Sequence, residues 1–103
     1  MSHLIRIRHA SPTQNLPSIL CTGLDPARSR SRFAAVWLHT ASRSRWALPH
    51  VASRHAVPAP AVSLVTVLVP RSWLSRRSAG VWYCRRPIPP ANIVSVNPFA
   101  CLA

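Results

Sequence analysis

The side chains that could do chemistry in this chain are arginines, histidines and hydroxyls, with almost no carboxylates among them. Thirteen basic residues stand against one acid, Asp25, and the formal charge is +12 over 103 residues. Every basic residue is arginine, and no glutamate occurs. A single carboxylate cannot run the two-acid chemistry of glycosidases or aspartic proteases, nor build an oxygen cage for Ca²⁺ or Mg²⁺. At most one guanidinium can pair with Asp25 and one with the C-terminal carboxylate. The others must remain in water, stack on aromatic rings, bond carbonyl oxygens or hold an external anion. The functional reading is a polyanion partner, either nucleic acid or a phosphate-rich cofactor. Cys21, Cys84 and Cys101 form no CxxC pair, so neither a zinc knuckle nor a disulfide framework is expected. Cys84 and His50 could be imagined as nucleophile and base, but nothing in the sequence brings them together. Trp37, Trp46, Trp73 and Trp82 are candidates for stacking on a base, although most tryptophans in so small a domain belong to the core.

The elements that would position these groups follow from hydrophobic period and punctuation. At 103 residues the length suits one domain, 1–103, and a hydrophobic content of 49% supports a modest core. Leu4–Arg8 alternates apolar and basic residues, the period of a half-buried strand. Thr13–Thr22 predicts a short amphipathic helix, with Thr13 or Asn15 as cap, Pro17 in the first turn and Gly23 past the end. Asp25–Phe33 is an arginine-rich loop, and Ala34–Thr40 a second strand. Ser42–His55 predicts a helix disturbed by Pro49, with Trp46, His50 and Arg54 spaced by four. Val62–Val69 is nearly all β-branched or leucine, which predicts a central strand buried on both faces. A turn around Trp73 and Leu74 ends in exposed Arg76 and Arg77. Gly80–Cys84 and Ile93–Val96 complete five strands. The fold class is α+β, around one sheet or two small half-sheets. The start of the chain carries Arg6 and Arg8 where a secretory signal would be apolar, and the stretch from His55 to Pro70 is too short and proline-broken to span a bilayer. A soluble cytoplasmic protein without a membrane partner is expected.

Three segments, in order, resemble the ADP-ribosyltransferase superfamily, most of all the NAD lobe of its RNA 2′-phosphotransferase branch, with some likeness to the DNA-targeting toxins. Arg8-His9-Ala10-Ser11, followed by Asn15-Leu16-Pro17-Ser18-Ile19-Leu20 and Gly23-Leu24, is similar to the family's strand ending in His-Gly-Thr/Ser and its helix of the form SIL…GL. Val36-Trp37-Leu38-His39 is similar to its VHLS strand, and Ser53-Arg54-His55-Ala56-Val57-Pro58 to its RRHGKP. Gly80-Val81-Trp82 with Ile88-Pro89-Pro90 is similar to NGVWLT…VPP. The likeness covers about residues 4–96.

The resemblance implies an ADP-ribosyltransferase-like split β-sheet with two short helices and NAD⁺ in a cleft across the split. His9 and Ala10 match the positions that meet the ribose and carboxamide, and Ser11 matches a supporting hydroxyl. A neutral imidazole can donate to and accept from a ribose hydroxyl, and a small residue lets a ligand approach the backbone. Arg54 matches a phosphate-binding arginine, and its guanidinium fork suits that task. Arg54 and His39 are the candidates for a catalytic role. Arg28, Arg30, Arg32, Arg43, Arg45, Arg76, Arg77, Arg85 and Arg86 are candidates for an outer nucleic-acid or phosphate surface. The family's protein-modifying members use a late glutamate. Its absence here favours the phosphotransferase branch, in which basic residues bind an RNA 2′-phosphate. The RNA-binding lobe that precedes the NAD lobe in that branch has no counterpart ahead of residue 4, so Arg6 or an arginine of the 28–32 loop would have to substitute. The expected function is a minimal NAD⁺-dependent transferase acting on a phosphorylated or nucleic-acid substrate. The alternatives are a non-catalytic module binding NAD⁺, ADP-ribose or nucleic acid, and a toxin-like subunit completed by a partner.

Overall fold

The computed structural model describes residues 3–29 and 33–98. Six strands form one sheet: β1 (Leu4–Pro12), β2 (Val36–His39), β3 (Val62–Pro70), β4 (Ser75–Ser78), β5 (Val81–Cys84) and β6 (Ile93–Asn97). Their order is β4-β5-β2-β1-β3-β6, and all neighbours run antiparallel. Two helices, α1 (Leu16–Thr22) and α2 (Ser44–Arg54), complete the α+β fold.

β3 is the central strand that its β-branched sequence predicts, and it is buried on both faces. Val65, Val67 and Val69 join Ile7, Leu38, Cys84 and Ile88 in the main core, onto which Ile19 and Leu24 also pack. On the opposite face Val62 and Leu64 meet Leu48 and Ala52 of α2. Each fully buried aliphatic side chain contributes roughly 1.5–3 kcal/mol, so the two faces of β3 anchor the domain.

The sheet is unevenly stitched. β1 pairs with β3 along its whole length, from Leu4↔Pro70 to Pro12↔Val62. Against β2 its register holds a single pair, Arg8↔His39. β2 in turn pairs fully with β5, from Val36↔Cys84 to His39↔Val81. The strands therefore part after Arg8, and β1 and β2 form the two arms of a fork.

Three expectations need correction. Arg76 and Arg77 lie in a strand rather than at the end of a turn, because Ser75 and Arg76 pair with Tyr83 and Trp82. α2 runs through Pro49, with Leu48 and Ala52 packed on the sheet on either side of it. Pro49 has no N–H, so the Arg45 carbonyl loses its backbone partner one turn on, and packing outweighs that loss. Asn15 holds the cap position of α1 as expected, but its side chain makes no capping hydrogen bond, and Arg43 holds the cap position of α2 likewise without one. Gly23 does end α1, at φ 83°, and its N–H donates to the Ile19 carbonyl.

Candidate functional site

A cavity of about 1010 Å³ opens where β1 and β2 part. His9, Ala10 and Ser11 of β1 form one wall, and Val36, Trp37, Leu38 and His39 of β2 form another. One stripe of α2 closes a third side through Trp46, Ala47, His50, Val51 and Arg54, with Arg43 at its N-cap. That three–four spacing is the helical period, so one helix face is turned to the cleft. Asp25 and Arg28 contribute from the loop after α1, and Arg77 and Ser78 from β4.

His9 sits in the fork. Its Nδ1 lies 2.7 Å from the Trp37 carbonyl oxygen. A carbonyl can only accept, so Nδ1 carries the proton and Nε2 keeps a lone pair. Burial pushes the His9 imidazole below its ordinary pKa; the Trp37 bond acts the other way, and His55 adds to the lowering. His9 is thus a neutral, oriented acceptor at neutral pH, fit for a ribose hydroxyl and unsuited to holding positive charge.

His39 is 4% exposed. Its Nε2 lies 3.4 Å from Ser44 Oγ, which accepts from Arg8 Nη1 at 3.3 Å. Burial, then His9 and then Arg8, lower its pKa to about 4. The Ser44 hydroxyl can donate to the imidazole while accepting from the guanidinium. His39 is therefore tied into a part-buried chain that runs through Ser44 of α2 and links β2 to Arg8 of β1 at the fork. Ser11 is buried, and its Oγ accepts from Asn15 Nδ2 at 3.3 Å. This fixes the end of β1 against the start of α1.

The cleft gathers His9, Ala10, Ser11, His39 and Arg54, which the sequence resemblance placed at one site. It also gathers three of the surface arginines: Arg28, Arg43 and Arg77. Arg43 Nε donates to the Ala79 carbonyl at 3.0 Å, and Arg28 Nη1 donates to Ser18 Oγ. Arg45, Arg76, Arg85 and Arg86 are exposed and lie outside the cavity lining. Arg85 covers the rings of Phe33 and Tyr83, and Arg86 lies 3.9 Å over Trp73. Arg71 covers Trp82 at 4.5 Å. Several guanidiniums thus find aromatic partners in place of carboxylates. Arg30 and Arg32 lie outside the described residues.

Trp46, His50 and Asp25 were not assigned to this cleft from sequence. The spacing of Trp46, His50 and Arg54 was legible, but which face of α2 met the sheet was not. Asp25, the only side-chain carboxylate, lines the cavity, and its Oδ1 accepts from Ala27 N at 2.9 Å. Cys84 and His50 do not form a pair: the thiol is wholly buried in the main core, while the imidazole lines the cleft.

Among the described residues no group of three or more His, Cys, Asp or Glu could hold a metal ion, and no helix is long and apolar enough to cross a membrane. The site is a neutral-imidazole and hydroxyl wall facing an arginine rim. Its imidazole, hydroxyl and guanidinium groups can hydrogen-bond a hydroxylated, anionic ligand. Comparison with known proteins finds no family model and no curated protein that matches this chain.

Proposed function

We propose that the chain is a minimal NAD⁺-dependent transferase of the RNA 2′-phosphotransferase and ADP-ribosyltransferase type, acting on a phosphorylated nucleic acid. The observation that carries this reading is the meeting of His9, Ser11 and Arg54 in one cavity at the fork between β1 and β2. The cavity is large enough for a dinucleotide, since ligand pockets run from about 300 to 1,000 Å³. The donor set also suits one. The His9 Nε2 lone pair accepts from a ribose hydroxyl, Ala10 allows close approach to the β1 backbone, and Arg54 holds a phosphate. When bound, NAD⁺ supplies a ribosyl centre whose bond to nicotinamide breaks with the electron pair leaving on the ring nitrogen. Arg28, Arg43 and Arg77 hold the incoming phosphate, whose oxygen brings its own electron pair to the new bond. No proton has to be removed from such a nucleophile, so no general base is required. Glutamate is dispensable on this account.

A binding-only module is the second reading, and one observation favours it. The sole carboxylate, Asp25, uses Oδ1 to hold Ala27 N, which limits the negative charge it brings to a ribosyl cation. Nicotinamide release from NAD⁺ separates the two. Release that depends on a 2′-phosphorylated RNA supports the transferase; NAD⁺ binding with no release in the presence of any nucleic acid leaves the binding module.

A further inference from the structure

Trp46 differs from the other three tryptophans. Trp82 is covered by Arg71, Trp73 by Arg86, and Trp37 packs at 5.4–5.5 Å with Phe33 and Tyr83. Trp46 is 49% exposed and lines the cleft. It stacks on His50, one helical turn on, with ring centroids 5.0 Å apart and planes 13° from parallel. The neighbouring ring fixes the indole plane without covering it on both sides.

The stack lies between two guanidiniums on the same face of α2. Arg43 precedes it and Arg54 follows, and both line the cleft. At the rise of an α-helix the two are about 16 Å apart along the axis. Arg43 is held by the Ala79 carbonyl, so its position relative to the indole is set by the β4–β5 hairpin. A flat, half-exposed ring beside a fixed guanidinium matches the chemistry of single-stranded nucleic acid, in which bases stack and flanking phosphates meet arginine. An acidic peptide would satisfy the arginines and leave the indole unused.

We propose that Trp46, backed by His50, is the platform on which a base of the single-stranded RNA acceptor stacks, with Arg43 holding the adjacent phosphate while Arg54 stays with the dinucleotide. The inference deepens the reading of a nucleic-acid acceptor and rests on it. The platform aligns the acceptor strand along α2, so that its phosphate enters the fork at His9.

The test compares a short fluorescent single-stranded oligoribonucleotide with its abasic counterpart of equal phosphate number. Wild-type protein should bind the base-containing probe about tenfold more tightly. Trp46→Ala should remove that preference and leave binding of the abasic probe unchanged, whereas Trp46→Phe should keep most of it. Equal binding of both probes by wild-type protein overturns the proposal without recourse to any variant, and so does a preference that survives in Trp46→Ala. NAD⁺ affinity is titrated in the same variants. A loss confined to NAD⁺ would place a cofactor ring on Trp46 and overturn the acceptor platform. A base preference that depends on Trp46 in a protein that binds no NAD⁺ would keep the platform and remove the transferase reading.

Discussion

His9 donates from Nδ1 to the Trp37 carbonyl at 2.7 Å, across the point where β1 leaves β2. One residue earlier, Arg8 and His39 form the only registered pair between these strands. The side-chain bond therefore replaces a ladder rung at the start of the fork. It orients the imidazole toward the cleft with Nε2 as acceptor. His9→Ala should cost about 1–3 kcal/mol, because the Trp37 carbonyl loses its donor in a half-buried place. Urea unfolding measures this, and an unchanged midpoint would show that the fork does not depend on His9.

Acid should destabilise the protein before any carboxylate titrates. The pKa of His39 is lowered from 6.5 to about 4 by burial, His9 and Arg8, and His9 is shifted the same way by burial. Both are neutral in the folded state. As pH falls below about 6.5, the unfolded chain takes up protons that the folded chain refuses. Stability is thus full above that pH and falls until His39 itself titrates near 4. The contribution of His39 alone is about 3 kcal/mol at its limit. Denaturant midpoints between these pH values should decline steadily, and His39→Gln should flatten the decline.

Gly80 should not tolerate a side chain. It sits at φ 74°, and a Cβ there would lie 2.7 Å from Arg43 Cγ and 2.9 Å from Thr40 Oγ1. Its carbonyl also accepts from Thr40 N at 3.0 Å. Gly80→Ala should cost roughly 1–2 kcal/mol for the left-handed backbone alone. It should also displace Arg43 and weaken phosphate binding. Thermal unfolding and inorganic phosphate titration together check this; a variant equal to wild type in both would contradict the role given to the hairpin.

Binding of single-stranded RNA should be strongly salt-dependent. Four arginines line the cleft: Arg28, Arg43, Arg54 and Arg77. If Arg28, Arg43 and Arg77 each meet one RNA phosphate while Arg54 serves the dinucleotide, the logarithm of affinity should fall against the logarithm of salt with a slope of about −2. Arg77→Gln should reduce the slope by roughly 0.7. Arg86→Gln should leave it nearly unchanged and lower stability instead, since Arg86 lies over Trp73.

The sequence displayed its core more clearly than its edges. Val62–Val69 reads as a buried strand because packing on two faces demands β-branched residues throughout. Ser75–Ser78 carries no such pattern: all four residues are exposed, and the strand exists because its backbone meets β5. Pro49 argued for a break in α2, yet the contacts of Leu48 and Ala52 hold the helix through it. The site was legible in part for the same reason. His9, Ser11 and Arg54 stood out by local motif, whereas the fork that unites them depends on where β1 and β2 stop pairing. The roles of Arg85 and Arg86 depend on rings placed by pairing between distant strands, which no local pattern encodes.

Calorimetric titration of NAD⁺ into wild-type protein and Arg54→Gln asks whether the fork between β1 and β2 is the dinucleotide site proposed above. One saturable site is expected in the wild type, with affinity about tenfold weaker in the variant, as for loss of a charged hydrogen bond to phosphate. No heat in the wild type, or equal affinity in the two proteins, would contradict the account.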